Sequence, residues 1–409
     1  MSAHSEAMGA PAELVRCPLM PTYGAPMVQF VRGEGSWLWD REGGRYLDLL
    51  SGLAVTSIGH SHPEVSRALT EQSQKLLHVS NLFGTEHNWH VATTLDRLLG
   101  GGGQVFFANS GAEANEAAVK LARKFGGRGR HVVVSAFGSF HGRTLATLHA
   151  TGQPAKHEAF QPLPEGFRHA TWMDLEDLER QLDATVAAVL LEAVQGEGGV
   201  NPASPEYLQG VRRLCDERGI LLMIDEVQTG LGRCGAWFAH QLAGVRPDVV
   251  TMAKALGNGV PIGACWARAE VSGVFEPGDH ATTYGGQPLA TAAARAVLEV
   301  MEAEDVPSRA VAAGDRFREA LAKVPAVVEV RGRGLLLAVE IDLGSVGRSA
   351  TEIAAAALRG DFESGGDRSR LVLNAVTPSA LRLAPSLLIS GDEIDLAVES
   401  LAALLEEHP

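Results

Sequence analysis

Two apolar runs in this chain each end on an ionisable residue. Leu221-Leu222-Met223-Ile224 delivers Asp225, with Glu226-Val227-Gln228 behind it, and Thr251-Met252-Ala253 delivers Lys254. Both runs read as buried strands, and a buried carboxylate or ammonium is costly unless something pairs with it. Pyridoxal phosphate needs both groups, because its aldehyde condenses with a lysine and its ring nitrogen stays protonated beside a carboxylate. The expectation is one ring gripped covalently by Lys254 and ionically by Asp225, in an enzyme that moves amino groups. Taken singly, each residue has an ordinary reading: an Asp at a strand end caps a helix or turn, and a Lys after an apolar run returns the chain to solvent.

Other pieces of such a site occur along the chain. Phe107-Ala108-Asn109-Ser110-Gly111-Ala112-Glu113-Ala114-Asn115 runs from a strand end into a helix start. Gly111 lets backbone approach a ligand, and the first free N–H groups of a helix suit a phosphate. The plainer reading is an N-cap, with Ser110 accepting from the N–H near Glu113. Ser139-Phe140-His141-Gly142-Arg143-Thr144 follows the next strand. Phe140 can stack on a flat ring, and Arg143 offers a fork to a carboxylate; a core phenylalanine and a surface arginine are the plain alternative.

The elements that must position these residues alternate. Strand-like runs are Gln104–Ala108, His131–Ser135, Ala187–Leu191, Ile220–Ile224, Asp248–Met252 and Ala264–Ala267. Between several lie helical patterns such as Glu113–Phe125, where Ala117, Ala118, Leu121, Ala122 and Phe125 share a face. Runs apolar throughout suit a mainly parallel sheet covered by helices on both faces, an α/β fold. The predicted organisation is an N-terminal segment over 1–60, a large α/β domain over 61–288 and a smaller α+β domain over 289–409. In the first segment Trp37–Asp48 reads as a hairpin turned by Glu42-Gly43-Gly44. In the last, Leu289–Ala303 and Val311–Lys323 read as helices, and Leu335–Ile341 and Leu381–Ala384 as strands, with Glu363–Asp367 a loop.

Bulk properties narrow the classes. The chain has 409 residues, of which 45% are hydrophobic and 21% charged, with a formal net charge of −14. That excess of acid argues against a nucleic-acid or anionic-membrane partner. No stretch of about 18 uncharged apolar residues is present, so no membrane span is expected. Met1–Glu13 lacks a basic region followed by an apolar core, so no secretory signal is expected either. Cys17, Cys215, Cys234 and Cys265 are scattered with no CxxC, which suits a reduced cytosolic chain. His60 with His62, and His87 with His90, lack a Cys or carboxylate at ligand spacing, so no metal is expected.

Five stretches then occur in order: Asn109–Ala117, Phe140–Thr144, Glu192-Ala193-Val194-Gln195-Gly196-Glu197-Gly198-Gly199, Asp225–Gly230 and Thr283-Tyr284-Gly285-Gly286. Together they resemble the class III aminotransferases, pyridoxal-phosphate enzymes of fold type I, over a span from about Pro21 to the C-terminus. The resemblance implies Lys254 as the Schiff-base lysine and Asp225 as partner of the pyridine nitrogen. It implies Gln228 on the ring hydroxyl, Phe140 on the ring face, and Ser110, Gly111 and Ala112 as the phosphate cup. Thr283 would reach the phosphate of a neighbouring subunit, making a homodimer with shared active sites. Thr282 and Arg143 would contact substrate, and Arg382 would take an α-carboxylate. Val372–Val376 followed by Leu381–Pro385 tilts the implied reaction toward transfer of the terminal amine of N2-acetyl-L-ornithine to 2-oxoglutarate. Several positions depart from the pattern: Ala112 stands for threonine, Ala193 for proline, Tyr284 for phenylalanine and Gln287 for asparagine, and Asn258 sits in a usually Gly-rich loop. These departures bear on fine substrate preference and leave the core chemistry untouched.

Dual specificity is the harder requirement. A terminal-amine donor brings no carboxylate next to its reacting carbon, whereas glutamate does. The expectation is that Arg382 pairs with Glu197 in the first half-reaction and opens to glutamate's α-carboxylate in the second. Arg143 would hold the distal carboxylate in both. A solvated turn is the plain reading of Glu197. Rival functions are the ornithine, succinylornithine, N-succinyl-diaminopimelate and 4-aminobutyrate aminotransferases, which share these motifs. A dehydrogenase would need GxGxxG directly after its first strand, and no strand here opens that way. A catalytically silent binding protein would have no need of Lys254, Asp225 and Arg382 together.

Overall fold

The computed structural model describes residues 18–24, 26–360 and 369–406. Met1–Glu13, Cys17 and the Glu363–Asp367 loop lie outside the described residues.

Seven strands form the central sheet, in the spatial order Gly103–Ala108, Gly263–Arg268, Val249–Met252, Leu221–Asp225, Val186–Glu192, Val132–Ala136 and Phe167–Ala170. All six expected strands are present, with boundaries shifted by no more than one residue. Phe167–Ala170 is the addition; its Phe-Arg-His-Ala sequence carries no apolar run, and it lies at the sheet edge. Ladders among the strands from Val249–Met252 to Phe167–Ala170 are parallel, and only Gly263–Arg268 runs antiparallel to both of its neighbours. Val186–Glu192 and Leu221–Asp225 are buried at every residue. Withdrawing each Val or Leu side chain from water contributes roughly 1.5–3 kcal/mol. That sum is what the sheet sets against the cost of carrying Glu192 and Asp225 at its ends.

The 16-residue helix Gly111–Gly126 packs on this sheet through Ala114, Ala118, Leu121 and Ala122, starting two residues before the expected Glu113 because Ser110 caps it. The Trp37–Asp40 and Arg45–Asp48 strands form the expected hairpin, extended by Phe30–Glu34 on one side. On the other side Arg45–Asp48 pairs in parallel with Arg370–Val372, a strand too short to show in the sequence pattern. A further antiparallel sheet joins Val327–Arg333, Leu336–Ile341, Ala380–Leu383 and Asn374–Thr377. Helices Val306–Leu321 and Gly391–Glu406 pack on each other beside it. The first of these begins five residues before the expected Val311, with Pro307 in its first turn, where a missing N–H costs nothing.

One continuous apolar core ties the parts together. It includes Leu47 and Leu49 from the N-terminal segment, Trp266 from the large sheet, Val297 and Met301 from the helix Pro288–Ala303, and Phe317, Leu381 and Leu401 beyond. Among the described residues no helix is long and apolar enough to cross a membrane, and no group of His, Cys, Asp and Glu could hold a metal ion.

Candidate active site

A cavity of about 400 Å3 opens at the carboxyl ends of the parallel strands, the place where α/β sheets bind ligands. Asp225 and Lys254 both line it, as do Ser110, Phe140, Glu192 and Glu197. Strand register explains the convergence: Asp225 stands opposite Glu192 on one side and opposite Thr251 on the other, and Lys254 follows two residues after the Val249–Met252 strand.

Asp225 is 3% exposed and has three hydrogen-bonding partners. Its Oδ2 accepts from Asn115 Nδ2 at 2.8 Å and meets His141 Nδ1 at 2.8 Å, and its Oδ1 accepts from the Val227 N–H at 3.0 Å. Asn115 is held in turn by donating to the His141 carbonyl and accepting from Thr251 Oγ1. Hydrogen bonds to a charged group are worth about 1.5–3 kcal/mol each, so three of them offset the several kcal/mol that burial of a carboxylate costs.

Glu192, register-paired with Asp225, meets a different balance. Burial pushes its carboxyl up to about 7, against the pull of His141 and of the N–H donors of Phe140 and Gly196, with Asp225 adding to the rise. Lys254 sits half-buried with a left-handed φ of +41°. Burial lowers its ammonium pKa; Glu197 opposes this and Arg382 reinforces it. Among the described residues none hydrogen-bonds its Nζ.

Arg382 comes from the second sheet and is wholly buried. Its Nη1 donates to Glu197 Oε1 at 2.6 Å, to the Gly196 carbonyl at 3.2 Å and to Gln228 Oε1 at 3.4 Å, and its Nε donates to Asn374 Oδ1 at 3.3 Å. Its Nη2 is buried and has no partner among the described residues. Glu197 is 29% exposed at its side chain, and although burial would raise its pKa, Arg382 and then Lys254 bring it below the ordinary value. The expected Arg382–Glu197 pair is therefore present, and Glu197 is no solvated turn residue. Gln228 bridges the two, with its Nε2 3.5 Å from Glu197 Oε1.

At the opposite wall, Ser110 caps its helix as the plain reading had it, with Oγ accepting from the Glu113 N–H at 3.2 Å, while also facing the cavity with Gly111 and Ala112. What approaches Gly111 most closely within the chain is Val227, whose Cγ1 would lie 2.8 Å from an added Cβ. Gly263, the first residue of the reversed strand, abuts the same cap, and a Cβ there would lie 2.3 Å from the Ser110 carbonyl oxygen. Phe140 is half-buried, with the exposed Arg143 guanidinium 5.6 Å from its ring centre.

Thr282 and Thr283 stand apart from this cavity. Thr282 Oγ1 accepts from Asn109 Nδ2 at 3.1 Å and lines a groove with Trp89 and Phe106, and Thr283 lines an adjoining one with His78 and Asn81.

Sequence reasoning assigned no role to Asn115, His141, Glu192 or Val55. Asn115 was detectable as a polar residue on the buried Ala114–Ala118–Ala122 face, and Glu192 ends its strand as Asp225 does. Val55 enters from a turn in which Ser51, Leu53 and Ala54 have φ of 50°, 70° and 62°. Left-handed backbone costs roughly 1–2 kcal/mol per such residue. Asp48 Oδ1 offsets part of this by accepting from the N–H groups of Leu50 and Ser51.

Comparison with known proteins gives one consistent answer. Residues 20–405 match the family described as Aminotransferase class-III. The chain is 47% identical to the acetylornithine aminotransferase of Corynebacterium efficiens, over 95% of each chain. It is 44% identical to that of Methanothermobacter thermautotrophicus, over 97% of this chain and 98% of the relative. Among solved structures, the ornithine aminotransferase of Toxoplasma gondii superposes with a TM-score of 0.87 at 33% identity, covering 95% of this chain and 92% of that one. N-acetylornithine aminotransferase from Stenotrophomonas maltophilia does so with a TM-score of 0.80 at 35% identity, covering 93% and 96%. With a family match over nearly its whole length and a mainly parallel sheet of the fold type I kind, the chain belongs to the class III aminotransferases.

Proposed function

We propose that this enzyme uses pyridoxal 5'-phosphate to move the terminal amino group of N2-acetyl-L-ornithine to 2-oxoglutarate. The products are N-acetylglutamate 5-semialdehyde and L-glutamate, the reverse of the direction that serves arginine biosynthesis. The observation that carries this reading is the convergence, on one cavity, of an amine with no hydrogen-bonding partner among the described residues and a carboxylate with three.

The residues present fit the cofactor. The first-turn N–H groups of Gly111 and Ala112 have no intrahelical acceptor and suit a phosphate, with Ser110 beside them. Phe140 offers a flat face, Gln228 an amide for the ring hydroxyl, and Asp225 a fixed negative charge for the ring nitrogen. When bound, pyridoxal phosphate supplies an electron sink for the amine-bearing carbon and carries the amino group between half-reactions.

The chain's own groups do the rest. Asp225 holds a proton on the ring nitrogen, and His141 and Asn115 hold Asp225 in place, a preorganised charge of the kind that dominates catalysis. Lys254, with its pKa lowered by burial, is neutral more often than a surface lysine. It removes the proton from the amine-bearing carbon and returns it at the other end of the shift. Glu197 neutralises Arg382 while a terminal amine reacts. When glutamate arrives, its α-carboxylate finds the unpartnered Nη2 of Arg382 and displaces Glu197. Arg143, at the mouth, takes the distal carboxylate in both half-reactions.

In this reading Thr283 acts across a cytoplasmic homodimer on the partner's phosphate site, and Thr282 contacts the substrate. The chain divides at 1–60, 61–288 and 289–409, with the N-terminal segment joined to the C-terminal unit through the Arg45–Asp48 and Arg370–Val372 pairing. Likeness to the Toxoplasma gondii protein keeps ornithine as the second donor to consider. The test offers acetylornithine, ornithine, N-succinyl-diaminopimelate and 4-aminobutyrate against 2-oxoglutarate. Acetylornithine gives the highest kcat/KM, and a higher value for another donor overturns the substrate. A visible absorption band that vanishes on borohydride reduction, leaving label on Lys254, is expected alongside; no such band overturns the chemistry.

A further inference from the structure

The proposed reading gives Lys254 and Arg382 complementary tasks, yet they stand on different sheets, and something must fix the distance between them. The Arg382 strand is tied to the 49–59 segment: the Ala384 N–H donates to the Leu49 carbonyl at 2.7 Å, and the Leu387 N–H to the Ser57 carbonyl at 2.7 Å. Buried Arg233 reinforces this junction by donating to Ser57 Oγ, Leu335 O and Pro385 O. The same segment supplies Val55 to the cavity wall.

From the Lys254 side, the tie is one side chain. Asn258 Oδ1 accepts from the Ile58 N–H at 3.0 Å, and its Nδ2 donates to the Gly59 carbonyl at 2.9 Å. Asn258 belongs to the tight turn that begins at Lys254: the Gly257 N–H donates to Lys254 O at 3.2 Å, and the Asn258 N–H to Ala255 O at 3.3 Å. Its φ is +46°, a conformation that Asn adopts more readily than most residues with a Cβ. Among the described residues these two bonds are the ones that join the lysine turn to the 51–59 segment directly.

We infer that Asn258 is a positioning residue that sets the spacing between Lys254 and Arg382, and through it how well the site serves glutamate, whose α-carboxylate Arg382 takes, relative to a terminal-amine donor. The inference rests on the roles proposed above for that pair. The chain of contacts runs from Arg382 through Ala384 and Leu387 to the 49–59 segment, and from there through the Asn258 amide to Lys254. Cutting the amide leaves both end groups in place and frees the distance between them.

Asn258→Gly cuts it while keeping the left-handed turn accessible, since glycine adopts positive φ freely. Asn258→Asp keeps the acceptor for Ile58 and loses the donor to Gly59. The expected result in Asn258→Gly is at least a tenfold fall in the ratio of kcat/KM for glutamate to that for acetylornithine, with Asn258→Asp between it and the parent. A second readout needs no cofactor. The pH dependence of Lys254 acetylation by acetic anhydride, followed by mass spectrometry in cofactor-free protein, shifts upward as water reaches the loosened turn. Unchanged donor ratios, or equal slowing of every donor with an unmoved Lys254 titration, overturn the inference. If Asn258→Gly does not fold, Asn258→Asp decides on the same readouts. A parent protein that transfers no amino group refutes the proposed function instead, and the Lys254 titration still decides whether Asn258 holds the lysine.

Discussion

The Asp225 wall of the cavity and its Glu197 wall, backed by the buried Arg382, are built on opposite plans. Asp225 commits three of its roughly four acceptor sites to neighbours held in the fold, of which Asn115 and His141 are buried. Among the described residues Arg382 keeps its Nη2 without a partner and has one carboxylate partner, Glu197, the more exposed of that pair. A group that must hold one charge through every turnover gains from fixed neighbours. A group that must serve two substrates needs a partner that can leave. Under the proposed function the first would be the rigid cofactor end and the second the exchangeable substrate end.

The comparison breaks most visibly at the fixed wall. Asp225→Ala lowers kcat on the order of 10³-fold, the scale of removing a preorganised charge at the reacting centre; steady-state rates of the cofactor-loaded variant check it. Glu192 sharpens the comparison through stability. With its folded pKa near 7 against an ordinary 4.5, the unfolded chain releases this proton at lower pH than the folded one does. Its contribution is therefore complete below about pH 4.5, declines as pH rises, and is lost by about pH 7, on the order of 3 kcal/mol in total. Denaturant unfolding of cofactor-free protein at pH 5 and pH 7.5 shows that decline, and Glu192→Gln removes it.

Effects at the exchangeable wall are smaller and selective. Arg382→Ala lowers kcat/KM for glutamate about 10²-fold, the cost of stranding a buried charge partner, while the acetylornithine half-reaction loses less, as single-turnover kinetics of each half separates. Glu197→Ala slows the terminal-amine half-reaction about tenfold and spares or improves the glutamate one. Equal losses in both halves would mean that the pair is a structural tie and not a switch.

How much of this was legible in sequence depends on how local each signal is. The central strands announced themselves as apolar runs, and Asp225 and Lys254 as the charges that end two of them. Phe167–Ala170 and Arg370–Val372 carried no such run, the first being a polar edge strand and the second three residues long. The partners of Asp225 were hidden for another reason. Asn115 and His141 lie 110 and 84 residues away, and only the sheet's register brings them to it. Arg382 and Glu197 were expected to pair, but from the demand for dual specificity, since nothing in their spacing of 185 residues brings them together. Thr282 and Thr283 remain outside the cavity of the single chain, so their role is a statement about an assembly.

Gly263 has a consequence beyond its own strand. Because it presses bare main chain onto the Ser110 carbonyl, the hairpin that carries the lysine and the cap offered to the phosphate are gauged against each other with no side chain as a spacer. Even a single methyl group at that seam would have to wedge them apart. The room left for the ring would then change at both its anchored ends at once, though residue 263 itself touches neither.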